Sequence, residues 1–400
     1  MANIIIAGGG LVNKGAQAMT LICVCELKNR YPGDKIYLLV WNDNETVRKE
    51  HAPYDLEPLE IRPLKFSAAA GSSMKKAIYS LRYGETFRSA DRIYRDARML
   101  LDISGYALGS NWPAKINNDY LDNIEYALNC GVPVYLMPQS FGPFDFKDAE
   151  GKAIYNRIGN LLPKVNLACA REEEGFRALN ENYSLKNLIL ADDMVLSSKI
   201  TDYSGAMKEQ PILDLPQIRE NSMCLVPNER ITDLLEPETT KLLYRSVIEA
   251  ALERELNVYI TYHSNQDRGI CADLKKSFAE SEHVMFLDRD FSCLEFNALI
   301  KKFRFMAGSR FHSIVHSLKN GIPCIALGWA AKYDVLMNKF NQGQYMFDVR
   351  NKVTADGLES AVFQMADRYQ QEAETIRGKL PEVQKTNIFD VIQERSQHEN

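Results

Sequence analysis

The sequence predicts an α/β protein built from two parallel sheets, each with helices on both faces, in two domains. Three observations carry this. Short apolar runs alternate with segments of helical period along the chain, the pattern of repeated β-α-β units. Many of those runs stop at a glycine or a polar residue that opens a helix, as at Gly8-Gly9-Gly10, Ser104-Gly105 and Gly308-Ser309. The 400 residues exceed a usual single domain, and a polar stretch at 201–218 with Pro211 and Pro216 interrupts the pattern midway.

Taken in order, 3–7 is a first buried strand, and Gly8 to Ala16 is a glycine-rich loop opening a helix that runs to about Tyr31. The loop resembles a phosphate cradle but is neither G-x-G-x-x-G nor a Walker loop. It fits equally a place where Asn13 and the backbone approach a ligand, or a tight turn packing helix on sheet. A second strand follows at 36–41. From about His51 to Asp96 the chain is polar, basic in parts and less regular, with a loop expected at 67–73 and helices on either side of Tyr83. Residues 99–104 form a strand that places Asp102 and Tyr106 at a sheet edge. Residues 120–130 form an amphipathic helix and 132–137 a strand. Pro138-Gln139-Ser140-Phe141-Gly142-Pro143 then reads as a rigid loop whose Gln139 and Ser140 suit a sugar hydroxyl, or simply turn chemistry. A helix at 148–162 leads to a strand at 165–170. That strand ends in Arg171, and three acidic residues after it suit the positive end of the next helix. A short strand at 189–193 closes the first half with Asp192-Asp193.

The second half restarts with a strand at 222–227, a long helix at 238–255 and a strand at 258–262 that ends in His263-Ser264-Asn265-Gln266-Asp267. A strand at 284–287 and a helix at 292–302 precede the stretch on which the chain turns, 303–312. There Phe303 to Ala307 is a central strand, Gly308 and Ser309 break it, and Ser309 is expected to cap the helix carrying Ser313 to Lys319. Pro323 sits near the start of the next strand, where a missing N–H does least harm. Lys332 then opens a helix at 335–340. The expected domains are 1–200, a linker at 201–220, and 221–350, with charged helices at 351–400 that could fold back on the first domain.

Composition excludes several classes. The net charge is −5, the pI about 5.8, and no basic block is present, so no nucleic-acid partner is expected. An anionic substrate must then be met by local Arg and Lys. The N-terminus lacks a signal-peptide pattern, and no apolar run is long enough to span a bilayer, so a cytoplasmic protein is expected. Association with the inner face of a membrane and homo-oligomer formation stay open. Eight scattered cysteines without a Cys-x-x-Cys pair read as reduced, buried thiols. His312 and His316 are spaced i, i+4, but no adjacent Glu or third ligand accompanies them, so no metal is expected.

Arg310 and His312 therefore fall at a strand's C-terminal edge and a helix's first turn, where open α/β sheets bind ligands. Helix N–H groups there favour an anion, Arg adds a planar fork for carboxylate or phosphate, and His suits proton transfer near neutrality. A surface ion pair and a satisfied core histidine are the plainer readings.

With both halves laid out, the chain resembles the polysaccharide pyruvyl transferase family. The residues that carry this are Asn13-Lys14-Gly15-Ala16, Gly105, Pro138 to Pro143, Ala170-Arg171-Glu172, Asp192-Asp193, Val226-Pro227-Asn228, His263-Ser264 to Asp267, Gly308 to His312, Gly321-Ile322-Pro323 and Lys332, in the family's order. Two departures are Asn-Lys-Gly-Ala, where many members have Asn-Ile-Gly-Asp, and Asp192-Asp193, where Pro-Asp is usual. The resemblance implies a GT-B-like fold of two Rossmann-like domains facing across a cleft. It also implies transfer of the pyruvyl group of phosphoenolpyruvate onto two hydroxyls of a sugar in a surface polysaccharide or its precursor, forming a ketal and releasing phosphate without a cofactor. By this resemblance Arg310 and His312 are the expected catalytic pair. Arg171, Phe311, Lys332, His263 and Ser264 are expected to join them on the donor, and Asn13, Lys14, Gln139, Ser140 and Tyr106 to meet the acceptor. A nucleotide-sugar glycosyltransferase on the same fold and a non-catalytic glycan-binding subunit are the alternatives.

Overall fold

The computed structural model describes residues 2–61, 73–351 and 353–398. Of the loop expected at 67–73, all but Ser73 lies outside the described residues. The chain forms two compact units. The first comprises Met1–Val12, Ala16–Pro211 and Thr386–Asn400, and the second Asn13–Gly15 and Ile212–Lys385.

The first half runs β1 (Asn3–Ala7), α1 (Lys14–Arg30), β2 (Lys35–Val40), α2 (Glu45–His51), β3 (Glu57–Glu60), α3 (Ser73–Arg95), β4 (Ala97–Asp102), β5 (Tyr106–Leu108), α4 (Ala114–Asn129), β6 (Val134–Phe141), α5 (Ala149–Leu161), β7 (Leu167–Ala170), α6 (Glu173–Tyr183), β8 (Leu188–Leu190) and α7 (Met194–Ser197). Its strands pair in the order β3-β2-β1-β4-β6-β7-β8, with β5 added alongside β6, and each of these pairings is parallel. The strand order reverses at β1 and β4, the point in open α/β sheets at whose C-terminal edge ligands generally bind. Ile4, Ile5, Ile6 and Ala7 are buried on both faces, as a central parallel strand requires. Gly8 follows at φ +70°, and a Cβ there would lie 2.0 Å from Ser104 Oγ, so the turns after β1 and β4 meet only because that residue is glycine.

The second half runs β9 (Ser222–Val226), α8 (Pro237–Glu253), β10 (Asn257–Ile260), α9 (Arg268–Ser277), β11 (Val284–Phe286), α10 (Cys293–Ile300), β12 (Phe305–Gly308), α11 (Phe311–Lys319), β13 (Cys324–Gly328), α12 (Ala331–Lys339), β14 (Met346–Asp348), α13 (Ala355–Val383) and α14 (Ile388–His398). Its sheet has the order β11-β10-β9-β12-β13-β14, again all parallel, with the reversal at β9 and β12. Both units are Rossmann-like.

Several sequence-based expectations need correction. Residues 138–141 are not a loop. They extend β6, and the register shift between Leu136 and Gln139 absorbs Pro138, which has no N–H to give a ladder. Strands β3, β5 and β14 were not foreseen. The linker expected at 201–220 begins later, because Tyr203 and Ala206 are buried in the first unit and Met207 bridges to Tyr54. The last fifty residues divide: α13 belongs to the second unit and α14 to the first. Ser309 caps no helix. Arg310 occupies the N-cap position of α11 and makes no side-chain cap bond.

Candidate active site

In the second unit, the candidate site side chains sit at the C-terminal edge of β9, β10, β12 and β13. Arg310 follows β12. Its Nε donates to Asp267 Oδ2 at 2.8 Å and its Nη2 to Asp267 Oδ1 at 2.6 Å, a two-pronged pair. Asp267 is fully buried and also accepts from the Glu229 N–H at 3.0 Å. The guanidinium is therefore aimed by a carboxylate that cannot itself move into solvent. Behind it, Ser309 is buried. Its hydroxyl lies 2.7 Å from Tyr244 Oη, and its carbonyl accepts from Tyr333 Oη at 3.0 Å and Asn228 Nδ2 at 3.3 Å. These bonds fix the turn between β12 and α11 from three different elements.

His312 stands in the first turn of α11, its ring edge-on to Phe311 with centroids 5.5 Å apart. Lys332 opens α12 and holds its ammonium 4.9 Å from the centre of the Phe311 ring. Neither α11 nor α12 has a side-chain cap at its N-terminus, so both helices present their positive ends at this edge. Asn13–Gly15 belongs to this unit. Lys14 is buried, donates to Asp290 and lies 5.4 Å from the Tyr262 ring centre, while Asn265 Nδ2 holds the other oxygen of Asp290 at 2.9 Å. Asn13 Oδ1 accepts from the Gly15 N–H at 3.0 Å. A Cβ on Gly15 would lie 2.4 Å from His312 Nδ1, so glycine lets the backbone approach the imidazole.

His263 is buried, edge-on to Phe296 at 5.0 Å and 6.2 Å from the His316 ring. Burial, then the neighbouring His316, Lys14, His312 and Arg310, push its pKa well below the usual histidine value, so the ring is neutral. Ser264 lies in the turn leading to Asp267, whose N–H it accepts at 2.9 Å.

The first unit carries a separate cluster. Arg171 follows β7 and is buried. Nε donates to Glu172 Oε1 at 2.9 Å, Nη1 to Asp193 Oδ2 at 3.0 Å and Nη2 to Ser140 Oγ at 2.8 Å. Ser140 Oγ donates on to Glu172 at 2.9 Å. Two carboxylates thus already meet the charge of Arg171, and it belongs to a different unit from Arg310, His312, Lys332, His263 and Ser264. Gln139 is buried, with Nε2 on the Met137 carbonyl at 3.3 Å. Tyr106 is half-buried and donates to the Gly142 carbonyl at 2.7 Å. Of the residues expected at the acceptor, Gln139, Ser140 and Tyr106 therefore share the first unit, whereas Asn13 and Lys14 go with the second.

Asp102 closes β4 at the strand reversal. Burial pushes its carboxyl up to about 6, against the lowering effect of hydrogen bonds from Ser104 and Gln139. Because the folded-state pKa is raised, the protonated form is favoured in the native state. Asp102 therefore contributes stability below the unfolded carboxyl range that is lost as pH rises through about 6. Asp102→Asn, which mimics the protonated form, should match wild type near pH 4. It should gain on wild type through pH 6, to roughly 3 kcal/mol at pH 8. Denaturant midpoints across that range test it, and parallel pH profiles would sink the assignment.

The sequence assigned no site roles to Gly15, Asp290, Tyr262 or Glu172, and named Asp267 beside His263 as a candidate for binding acceptor or donor. Asp267 stood in a flagged polar cluster, but its pairing with a residue 43 positions away depends on the β9-β10-β12 order. Among the described residues no cluster of three or more His, Cys, Asp or Glu side chains could hold a metal ion. The eight cysteines are free thiols, seven of them buried. No helix among the described residues is long and apolar enough to cross a membrane.

The family model of polysaccharide pyruvyl transferases matches residues 13–330. The chain belongs to this family. A transferase acting in polysaccharide synthesis follows from that membership. No curated relative matches the chain in sequence. Solved structures share its fold. UDP-GlcNAc 2-epimerase from Neisseria meningitidis, bound to UDP-GlcNAc, has a TM-score of 0.62 at 11% identity, covering 100% of both chains. Anabaena HepE, in complex with UDP and glucose, has a TM-score of 0.55 at 10% identity over 99% of this chain and 98% of its own. The glycotransferase of kitacinnamycin gives 0.55 at 12% identity over 98% and 99%. At such identities the likeness to these GT-B proteins is one of fold alone.

Proposed function

We propose that this pyruvyl transferase takes the pyruvyl group from phosphoenolpyruvate and sets it as a ketal across two hydroxyls of a sugar, needing no metal or organic cofactor. The observation that carries the reading is the Arg310–Asp267 pair, which holds a guanidinium beside His312 at an uncapped helix N-terminus in a chain of this family. Phosphoenolpyruvate has a carboxylate and a phosphate. Arg310, the first turns of α11 and α12, and Lys332 supply positive charge to both.

His312 delivers a proton to the terminal methylene carbon, which becomes the methyl group, and positive charge develops on the adjacent carbon. The two sugar oxygens bond to that carbon as the bond to the phosphate oxygen breaks. Of the two hydroxyl protons, one replaces the proton His312 gave and the other leaves with phosphate, so His312 acts as acid and then as base. Arg171, already paired with two carboxylates, acts on this reading by holding Ser140 and Glu172 in place rather than by gripping the donor.

Phosphoenolpyruvate should raise the melting temperature of the wild type, and uridine diphosphate sugars should not. Arg310→Ala should lose the shift. His312→Ala should keep it while slowing phosphate release by about a thousandfold. A shift with the nucleotide sugars alone, or near wild-type turnover in His312→Ala, would remove the reading or the role of His312 respectively.

A further inference from the structure

We infer that Trp112, with Tyr106 and Asn111, is the platform on which the acceptor's hexopyranose ring stacks, an inference that rests on the reading that the acceptor is a sugar. Trp112 lies in the loop between β5 and α4, at the C-terminal edge of the first sheet, and its side chain is 36% exposed. Its indole meets the Tyr106 ring edge to face at 5.3 Å.

The loop that presents Trp112 is fastened from below. Asn117 is fully buried. Its Nδ2 donates to the carbonyls of Gly109 and Trp112, both at 3.1 Å, and of Pro113 at 3.3 Å, and its Oδ1 accepts from the Gly109 N–H at 3.0 Å. The Ser110 N–H donates to the Pro143 carbonyl at 2.7 Å, tying the loop to the segment after β6. One buried amide side chain thus serves four backbone groups to hold a loop whose indole stays about one-third exposed.

The surroundings select a sugar over an apolar partner. A pyranose ring has one face of C–H bonds carrying partial positive charge, which suits the negative face of an aromatic ring, and hydroxyls at its rim. Beside the indole, the exposed Asn111 donates to Tyr106 Oη at 3.3 Å, and Tyr106 Oη donates to the Gly142 carbonyl. This gives an amide and a phenol hydroxyl at the platform's edge, where ring hydroxyls would fall. The fixed loop means that little side-chain freedom is lost on binding.

Protein labelled with 15N at tryptophan gives three indole N–H signals, from Trp41, Trp112 and Trp329, assigned by Trp→Phe replacement. Methyl hexopyranosides without phosphoenolpyruvate should move the Trp112 signal in a saturable way. Trp112→Ala should weaken that binding about tenfold, read from sugar resonances, while Trp112→Phe keeps most of it. Both variants should retain the thermal shift with phosphoenolpyruvate, which also reports that they fold. An unmoved Trp112 signal, movement of Trp41 alone, or equal binding by Trp112→Ala would overturn the inference. Loss of the pyruvyl reading would show separately, as a wild type that fails to respond to phosphoenolpyruvate.

Discussion

Asp267→Ala is expected to abolish turnover and to destabilise the second unit by about 3–5 kcal/mol. Asp267 is fully buried, and both its carboxylate oxygens are taken by Arg310, with Oδ1 also accepting the Glu229 N–H. Alanine leaves a partly buried guanidinium and a backbone donor without their acceptor, which costs more than the pair itself is worth. It also frees the guanidinium to leave the position from which it would meet the donor. Asp267→Asn separates the two effects. The amide keeps one oxygen for Arg310 but turns N–H groups toward the other prong, so it should fold with a smaller loss and bind phosphoenolpyruvate more weakly. Urea midpoints and the thermal response to phosphoenolpyruvate measure the two losses. A variant with the wild-type midpoint and the wild-type response would show that the pair neither braces nor aims Arg310.

That pair also marks where the sequence stops being readable. Parallel strands buried on both faces leave continuous apolar runs, so β1, β4, β7, β9, β12 and β13 were visible as elements, with ends displaced by a residue or two. Strands β5 and β14 have three residues each, too few to make a period. Pro138 argued against a strand, and only the register shift beside it explains how β6 continues. Arg310 and His312 could be found because strand edge, turn and helix start are local signals. Their partners could not. Ser309 looked like a helix cap from its neighbours, yet its hydroxyl is spent on Tyr244, 65 residues earlier. Arg171 and Arg310 look alike in sequence, each an arginine between a strand and a helix. What separates them is their company: two carboxylates around Arg171, and one buried carboxylate behind Arg310.

Gly15→Ala should lower kcat by about a hundredfold while leaving the melting temperature close to wild type. The methyl carbon it adds would sit 2.4 Å from His312 Nδ1, 2.9 Å from Cγ and 3.1 Å from Cε1. All three atoms belong to one rigid ring, so no flexible chain end can bend away, and ordinary contact requires the imidazole to retreat by about 1 Å. A displacement of that size at a proton-transferring group costs about two orders of magnitude in rate. Stability answers differently. Gly15 is the second residue of α1, where alanine is favoured over glycine by up to about 1 kcal/mol, and this gain offsets the strain of moving the ring. Binding of phosphoenolpyruvate should survive, because Arg310 and its buried carboxylate are untouched. Retained thermal shift with collapsed turnover would place the defect on His312. Wild-type turnover in Gly15→Ala would mean that the reaction does not depend on where this imidazole stands, and the proton-transfer role would have to move to another group.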